Sequence, residues 1–535
     1  MSNVVRISFE DNILGVHLDL GGDVFKDETV VGAGDIPGTG ALVHNWILKS
    51  MKPLFKRMPL QNVEFECSKE MSDTYPKEFG TVVGTLYATN EYIKEHKELK
   101  GIANDYDGVL FFNCSDDIRY KAFYEFLKET NPDIHYLNQA LGFNRVKRKW
   151  ETPPDPMPLD ELFDYLIENK IKKIFTINTY VLDKYIMFAG VNLIPVCDYL
   201  GIEWINIDHD PPDLRAQGYL HKAFLSSDKV KRFTCKSILQ RHFDDKYGIN
   251  CHYVAIPQNY NGSSPQKMDL LDKDYDIVVL SNSRWNDVEP LLPVIGWLME
   301  QLPPATAFRD LHLWYLALRK MVLDAPLPEF QQLQVSSSLH TVMYMARNYL
   351  KYIILGALQT DREVLVYGDE GWNNVCPQYY QKSLNNEEIK KLYSENNHLY
   401  LLMNFSYSYL DASGPVYDVI NQGIPFINVA PVFRTPALGG MVHVEYDGPQ
   451  RLNYLANNFI RLYNYAGSFV GIDTYRDILA SSAEDIRNSL EGKPINGVFT
   501  QHLSEHQQLA DGMIAEYTVE NKDFLDYTYK RFVGG

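Results

Sequence analysis

A short segment in the C-terminal half of the chain combines small residues, a predicted helix start and a carboxylate. Ser413 and Gly414 lead into this helix, Tyr417 and Asp418 lie about one turn into it, and Gly423 ends it. A helix that starts after small residues presents backbone N–H groups without intrahelical partners, and such groups bind phosphate well. The segment therefore predicts a site for the diphosphate of a nucleotide.

Other residues in this half suit the same ligand. A predicted strand ends at Tyr367 and Gly368, and Trp372 follows, so an aromatic ring would pack the base while the glycine lets the backbone approach. Arg284 and Arg434 lie in predicted loops and would neutralise the diphosphate, although loop arginines serve equally as surface ion-pair partners.

The order of these elements resembles the donor-binding half of the GT-B glycosyltransferases. Asp418-Val-Ile-Asn-Gln-Gly423-Ile-Pro425 is similar to the E-A-x-x-x-G-x-P element of that family, with Asp in place of Glu. The chain most resembles the CgeB-type (spore-maturation-like) glycosyltransferases, on the Tyr-Gly and Gly-Trp pairs at 367–372 and the K-L-Y-S helix at 391–394. The resemblance implies a nucleoside-diphosphate sugar as donor, with Asp418 gripping the ribose hydroxyls.

Two positions depart from the pattern of that family. Pro415 stands where the family often carries Arg, three residues before Asp418. Asp411 precedes Asp418 by seven residues, whereas eight is typical of retaining members. The stereochemical outcome is therefore left open.

A glycine-rich segment at 32–40 leads into a predicted helix in the N-terminal half. Gly34, Gly38 and Gly40 allow a ligand to approach the backbone, and Asp35 and His44 supply polar groups nearby. In GT-B enzymes the loop after the first strand lines the cleft, so these residues are expected on the acceptor side. The alternative is a flexible glycine turn.

A predicted buried strand at 203–207 carries a second polar cluster. It delivers Asp208, His209 and Asp210 to its carboxyl end. Either Asp210 or, as second choice, His209 would act as general base on an acceptor hydroxyl, with Asp35 as a further catalytic candidate. Asp-Pro is also ordinary turn chemistry.

Two alternative functions stay open at this point. The D-x-D spacing of Asp208 and Asp210 would suit Mn²⁺ or Mg²⁺ bound to the donor diphosphate, as in the other glycosyltransferase class. The same spacing recurs at 105–107 and 274–276, so it arises readily in this acidic chain. A non-catalytic nucleotide-sugar-binding protein, or a nucleotide-sugar epimerase, is the second alternative.

Strand-like and helix-like segments alternate through most of the chain, which predicts an α/β fold. We expect two doubly wound Rossmann-like domains facing across a cleft, at 1–260 and 276–505, with a linker at 261–275. A helix-rich insert at about 288–360 would serve acceptor recognition or homo-oligomerisation. The last segment, 506–535, is expected to cross back to the first domain.

The composition of the chain limits the classes of partner that it can bind. The chain has 51 Lys and Arg against 69 Asp and Glu, a net charge of −18, which disfavours DNA as the acceptor and leaves a glycan or protein. The six cysteines form no C-x-x-C pair, and neither a signal-like apolar run nor a bilayer-spanning stretch stands out. We expect a soluble, cytoplasmic, metal-independent enzyme without a cofactor.

Overall fold

The computed structural model describes a defined part of the chain. The described residues are 3–31, 39–113, 118–138, 143–144, 149–150, 159–177, 193–208, 230–234, 238, 241–242, 245–246, 251–254, 274–302, 307–395, 397–403, 418–419, 424–430, 443–445, 448–466, 472–495 and 500–533. The predicted linker at 261–275 lies outside them except for its last two residues.

The strands of the described residues are numbered in chain order. They are β1 Asn3–Glu10, β2 Ile13–Leu20, β3 Asp23–Val30, β4 Val63–Cys67, β5 Gly108–Asn113, β6 His135–Asn138, β7 Phe143–Asn144, β8 Lys149–Trp150, β9 Ile171–Ile177, β10 Glu203–Asp208, β11 Val230–Thr234, β12 His252–Tyr253, β13 Asp276–Leu280, β14 Val364–Tyr367, β15 His398–Met403, β16 Phe426–Ala430 and β17 His443–Glu445.

The α-helices are numbered in the same way. They are α1 Thr39–Ser50, α2 Lys52–Phe55, α3 Lys69–Thr74, α4 Pro76–Glu95, α5 Ile118–Thr130, α6 Leu159–Glu168, α7 Leu193–Leu200, α8 Trp285–Val288, α9 Leu292–Glu300, α10 Ala307–Asp324, α11 Glu329–Ala357, α12 Asn386–Tyr393, α13 Pro449–Ala466, α14 Ile472–Leu490, α15 Thr500–Glu520 and α16 Lys522–Val533.

The first strand does not belong to the doubly wound sheet that the sequence predicted. β1, β2 and β3 form an antiparallel meander, and β4 pairs in parallel with β1. The first hairpin turns at Asp11 and Asn12, both with positive φ, which matches the twist of a two-residue hairpin. We call β1–β4 with α1 the N-terminal sheet module. The glycine-rich segment follows β3 of this module, rather than the first strand of a parallel sheet.

The predicted parallel sheet of the first half is present. Its order is β12-β11-β10-β9-β5-β6, with parallel pairing throughout. The order reverses between β5 and β9. Buried residues on one face pack with the N-terminal sheet module and with α2, α3 and α4, and those on the other face form a separate core.

A second parallel sheet forms the C-terminal half, in the order β14-β13-β15-β16-β17. An isolated parallel bridge joins Val366 of β14 to Tyr380, and backbone hydrogen bonds from Gln381 and Gly368 extend it. When this short strand is included and the strands are numbered along the chain from β13, their order in the sheet is 3-2-1-4-5-6. This is the strand order of dinucleotide-binding sheets. The α/β class with parallel sheets is thus confirmed.

The predicted helical insert lies between β13 and β14 as α8 to α11. The 29-residue α11 contributes to two cores. Phe330 and Leu333, near its start, pack with the N-terminal sheet module, whereas Leu339 and the residues after it join the core of the second parallel sheet. One continuous helix therefore belongs to both halves.

The return to the first half is made by α14, and not only by the predicted segment 506–535. Ile486 and Leu490 of α14 pack in the core of the first parallel sheet, and Lys173 of β9 donates a hydrogen bond to the Leu490 carbonyl at 2.5 Å. The last two helices, α15 and α16, pack mainly in the core of the second half. An ion pair between Arg241 and Asp511 adds a contact of α15 with the first half.

Candidate phosphate-binding site

The site is built on the loop that leaves the carboxyl end of β13, the central strand of the second sheet. Ser281 and Ser283 follow the strand, and Arg284 precedes α8 with φ of 55° in the left-handed region. A non-glycine residue in that conformation carries strain, so the surrounding contacts must hold it.

Asp369 supplies those contacts. Its carboxylate accepts hydrogen bonds from the Ser283 hydroxyl, from the Gly371 N–H at 3.0 Å and from the Arg284 N–H at 3.2 Å. The hydroxyl of Tyr352 on α11 donates to the Ser283 carbonyl at 2.6 Å. The loops after β13 and β14 and the helix α11 are therefore fastened together around one carboxylate.

The glycines of the predicted site allow the two loops to approach. A Cβ at Gly368 would overlap the carbonyl oxygen of Ser281, and one at Gly371 would overlap the Ser283 hydroxyl. Trp372 is fully buried, and its indole N–H donates to the same Ser281 carbonyl at 2.6 Å. A fully buried indole offers no face to a nucleotide base, so Trp372 fixes the loop instead.

Tyr367 is half-buried at the end of β14. Burial raises the pKa of its phenol, and the nearby carboxylate of Glu395 raises it further. The hydroxyl therefore stays protonated at neutral pH and remains a hydrogen-bond donor.

Three cationic side chains converge on this loop. Arg284 and Arg347 lie near the ring of Tyr344, with their guanidinium carbons 5.0 and 5.9 Å from its centroid. The Nζ of Lys351 lies 3.0 Å from the Ser281 hydroxyl. We call Arg284, Arg347 and Lys351 the cationic cluster.

The ammonium group of Lys351 is held by neutral acceptors, the Ser281 hydroxyl and the Asn348 side-chain oxygen, each at 3.0 Å. Burial, with the charges of Arg347 and Arg284, lowers the pKa of Lys351 to about 7, and Asp369 opposes the shift only in part. Two carboxylates lie beside the cluster: Asp369, which accepts from its three donors, and Asp287, which lies 3.6 Å from a guanidinium nitrogen of Arg284. With Lys351 protonated, three cations face these two carboxylates, and an anionic ligand would complement the excess positive charge.

Asp418 has a different described environment. It is half-buried and helical. Burial of Tyr393 raises the pKa of that phenol, and the negative charge of Asp418 raises it further. Tyr393 ends α12, which leads into the amino end of β15, whereas the cationic cluster lies at the carboxyl end of β13. Ser413, Gly414, Tyr417 and Arg434 lie outside the described residues.

In the N-terminal half, Gly34, Asp35, Gly38, His209 and Asp210 likewise lie outside the described residues. Gly40 lies in the first turn of α1, and His44 lies one turn further on and is 5% exposed.

Asp208, the first acidic residue of the D-x-D sequence, is fully buried at the carboxyl end of β10. One carboxylate oxygen accepts from the Asn206 amide at 2.8 Å and the other from the Arg232 Nε at 2.8 Å. Both oxygens are engaged within the protein, so Asp208 is not arranged as a metal ligand.

Sequence reasoning found Arg284 but missed Arg347 and Lys351, since both belong to the helical insert. A signal was present, because the two cations are spaced i, i+4 in a helix whose neighbouring positions are mostly apolar. Two adjacent cations on one such helix face call for an anion.

Comparisons with known protein families, with curated proteins and with solved structures gave no match for this chain. Within the described ranges, no helix has the length and apolar character needed to cross a membrane. The same part of the chain contains no group of three or more His, Cys, Asp or Glu side chains arranged to hold a metal ion.

Proposed function

We propose that this chain is a nucleotide-sugar-dependent glycosyltransferase that binds the donor diphosphate at the cationic cluster. The observation that carries the proposal is the position of Arg284, Arg347 and Lys351 at the carboxyl end of the central strand β13. Ligands of doubly wound sheets bind beyond the carboxyl ends of the strands, where the strand order reverses. In this sheet the order reverses between β13 and β15.

The donor groups of the cluster are suited to a diphosphate. Two guanidinium groups can each donate paired hydrogen bonds to phosphate oxygens, and the amine of Lys351 can gain a proton when an anion arrives. Gly368 and Gly371 let the loop after β14 pack directly against Ser281 and Ser283, which holds the loop after β13 in place beside the cluster.

In the proposed reaction, an acceptor hydroxyl attacks the anomeric carbon of the donor sugar. The bond from that carbon to the diphosphate oxygen breaks, and the leaving diphosphate keeps the electron pair. The cationic cluster stabilises the charge that develops on the leaving group. Asp210 is the proposed base that takes the hydroxyl proton, with His209 and Asp35 as alternatives.

The wider arrangement belongs to the same proposal. The two halves would face each other as in GT-B enzymes, with the donor on the second half and a glycan or protein acceptor on the first. Arg434 would add to the diphosphate site, whereas the described environment of Asp418, near Tyr393, does not by itself support the ribose-binding role that the resemblance implies. The engagement of Asp208 favours this metal-independent reaction over the D-x-D alternative.

A thermal-shift panel of UDP, GDP, dTDP, ADP and CMP, each with Mn²⁺ or with EDTA, tests the proposal. A ligand at about 100 times its Kd adds about 2.7 kcal/mol to the free energy of unfolding. We expect one nucleoside diphosphate to stabilise equally with EDTA. The substitution Lys351→Met or Arg347→Met should abolish the shift, and the exposed Lys390→Met should leave it unchanged.

Three other outcomes are informative. Stabilisation only with Mn²⁺ would favour the metal-dependent alternative. Binding without transfer of sugar to any acceptor would favour a nucleotide-sugar-binding protein. Stabilisation that survives Lys351→Met and Arg347→Met but is lost in Asp418→Ala would move the diphosphate away from the cationic cluster.

A further inference from the structure

The first turn of α1 carries polar groups that the donor site does not use. Gly40 lies in this turn, and His44 lies four residues later on the same face of the helix. Helical side chains lean toward the helix N-terminus, so the imidazole of His44 covers the turn that contains Gly40. The carboxylate of Glu78, on α4, closely approaches the position that a Cβ of Gly40 would occupy.

The imidazole of His44 has one engaged and one unengaged nitrogen. Its Nδ1 lies 3.1 Å from the side-chain oxygen of Asn45, so Nδ1 carries the proton and donates it. Its Nε2 is then a bare acceptor, and it has no hydrogen-bond partner among the described residues. Only 5% of the residue is exposed, and a buried polar atom without a partner is costly enough to require an explanation.

The protonation state of His44 is consistent with an acceptor. Burial lowers the pKa of its imidazole, and the Asn45 hydrogen bond and the Glu78 charge offset this only in part. The ring is therefore neutral at pH 7. No ion pair joins it to Glu78, although both side chains are described.

The charges of the turn define the ligand. The N-terminus of α1 disfavours a cation, and the carboxylate of Glu78 disfavours an anion. His44 Nε2 and the Glu78 carboxylate can accept hydrogen bonds, while the N–H groups of a first helical turn lack intrahelical acceptors. A hydroxyl group donates and accepts at once and carries no charge.

We propose that the first turn of α1 binds the hydroxyl groups of a neutral polyhydroxylated ligand, with a hydroxyl donating to His44 Nε2. The site is distinct from the cationic cluster. Gln334 of α11 lies 3.5 Å from the hydroxyl of Thr39 at the start of α1, and Tyr344 of the cluster lies ten residues further along α11, about 15 Å of helix axis. The proposal does not depend on donor binding.

The test uses the full chain labelled with ¹⁵N-histidine and titrated with glucose, galactose, N-acetylglucosamine and inositol. We expect at least one neutral compound to shift the Nε2 resonance of His44. Glucose 6-phosphate and glucosamine should bind more weakly than glucose because each carries a charge that the turn disfavours. A His44 Nε2 resonance that moves with none of the neutral compounds would overturn the proposal.

Variants add a second measurement. His44→Phe should weaken binding of the neutral compound by about tenfold or more, whereas His44→Gln, which keeps an acceptor near the Nε2 position, should retain most of it. His17→Phe, on β2 of the same module, is the matched control. Equal loss in His17→Phe would assign the effect to the module as a whole and overturn the proposal.

Nucleoside diphosphate binding is measured in the same variants. It should be unchanged in His44→Phe, because the cationic cluster is separate. Loss of nucleotide binding in every sample, with the sugar-induced shift intact, would refute the proposed function and leave this site standing.

Discussion

Lys49 of α1 and Glu329, the first residue of α11, form an ion pair of 3.2 Å, and Asp27 of β3 contacts the same amine at 2.9 Å. The side chains of Lys49 and Glu329 are only 17% and 22% exposed. The pair therefore joins the N-terminal sheet module to the helix that carries two residues of the cationic cluster.

This pair should be measurable in a double-mutant cycle. We expect Lys49→Met and Glu329→Gln to show a coupling free energy of about 1–2 kcal/mol in urea unfolding, since the pair is charged and partly shielded from water. The exposed pair Lys320–Asp324 on α10 is the control and should give less than about 0.5 kcal/mol. Equal coupling in both pairs would contradict a special role for Lys49.

The same contacts set the pH range over which the Lys49–Glu329 pair stabilises the fold. Burial alone would lower the pKa of Lys49, but the carboxylates of Glu329 and Asp27 outweigh it and the pKa is raised. A raised pKa means that the contribution is present in full throughout the neutral range. It is lost only as the pH rises through the folded-state pKa.

Lys351 should make ligand affinity and stability respond to pH in opposite directions. Its pKa of about 7 means that the amine loses its proton as the pH rises through neutrality, so the affinity for a nucleoside diphosphate should fall between pH 6 and 9. Isothermal titration calorimetry should show proton uptake on binding near pH 7. Lys351→Arg should flatten the profile, because arginine stays charged.

In the absence of ligand, the free energy of unfolding changes with pH in the opposite direction to the ligand affinity. Below about pH 7 the folded state carries a buried ammonium charge, whereas above it only the unfolded chain holds that proton. The unfolded state then binds more protons, so the free energy of unfolding should rise with pH from about 7 upward. Lys351→Met should remove this rise in urea unfolding curves. A rise that persists in the variant would assign it to another group.

Gly368 should be intolerant of any side chain. Gly368→Ala would drive a Cβ into the Ser281 carbonyl and the Trp372 indole, and we expect a loss of at least about 2 kcal/mol of stability. Gly84 of α4 is exposed with open space around it, so Gly84→Ala should instead stabilise by about 0.5–1 kcal/mol. Similar melting temperatures for the two variants would show that the loop can relax.

Asp208 and Arg232 should behave as a buried structural pair. Asp208→Asn removes the carboxylate charge that pairs with the buried guanidinium of Arg232, and we expect a loss of about 3–5 kcal/mol in urea unfolding. The double variant Asp208→Asn/Arg232→Met should lose less than the two single changes together. Stabilisation of the wild type by Mn²⁺ that disappears in Asp208→Asn would contradict this interpretation.

The sequence predicted the parallel sheets well because each strand is a short apolar run bounded by turn residues. The meander of β1 to β3 was not predicted. β3 carries charged residues at 23, 26, 27 and 28, which obscures alternation, and the turn at Asp11 and Asn12 lacks the glycine that most clearly marks a two-residue hairpin. Alternation along β1 was visible, but alternation alone does not identify the sheet to which a strand belongs.

The candidate site was predicted only in part for a related reason. Arg284, Gly368 and Trp372 lie next to strand ends and carry a local signal. Arg347 and Lys351 lie inside a helix, more than 60 residues after Arg284 in the chain. For Trp372 the residue type predicted the wrong role. Its identity suggested a stacking surface, yet the Ser281 carbonyl and the ring of Tyr352 enclose it in the core.

The helix shared by two cores has a consequence for how the protein can be divided. Phe330 and Leu333 fill the core of the first half, although they follow β13 in the chain and are covalently part of the second. Cleavage of the chain between residues 261 and 275 would leave the first half with an unfilled groove in its core. The second half would carry an exposed apolar end of α11. Each piece alone should aggregate, while the two expressed together should reassemble through α11.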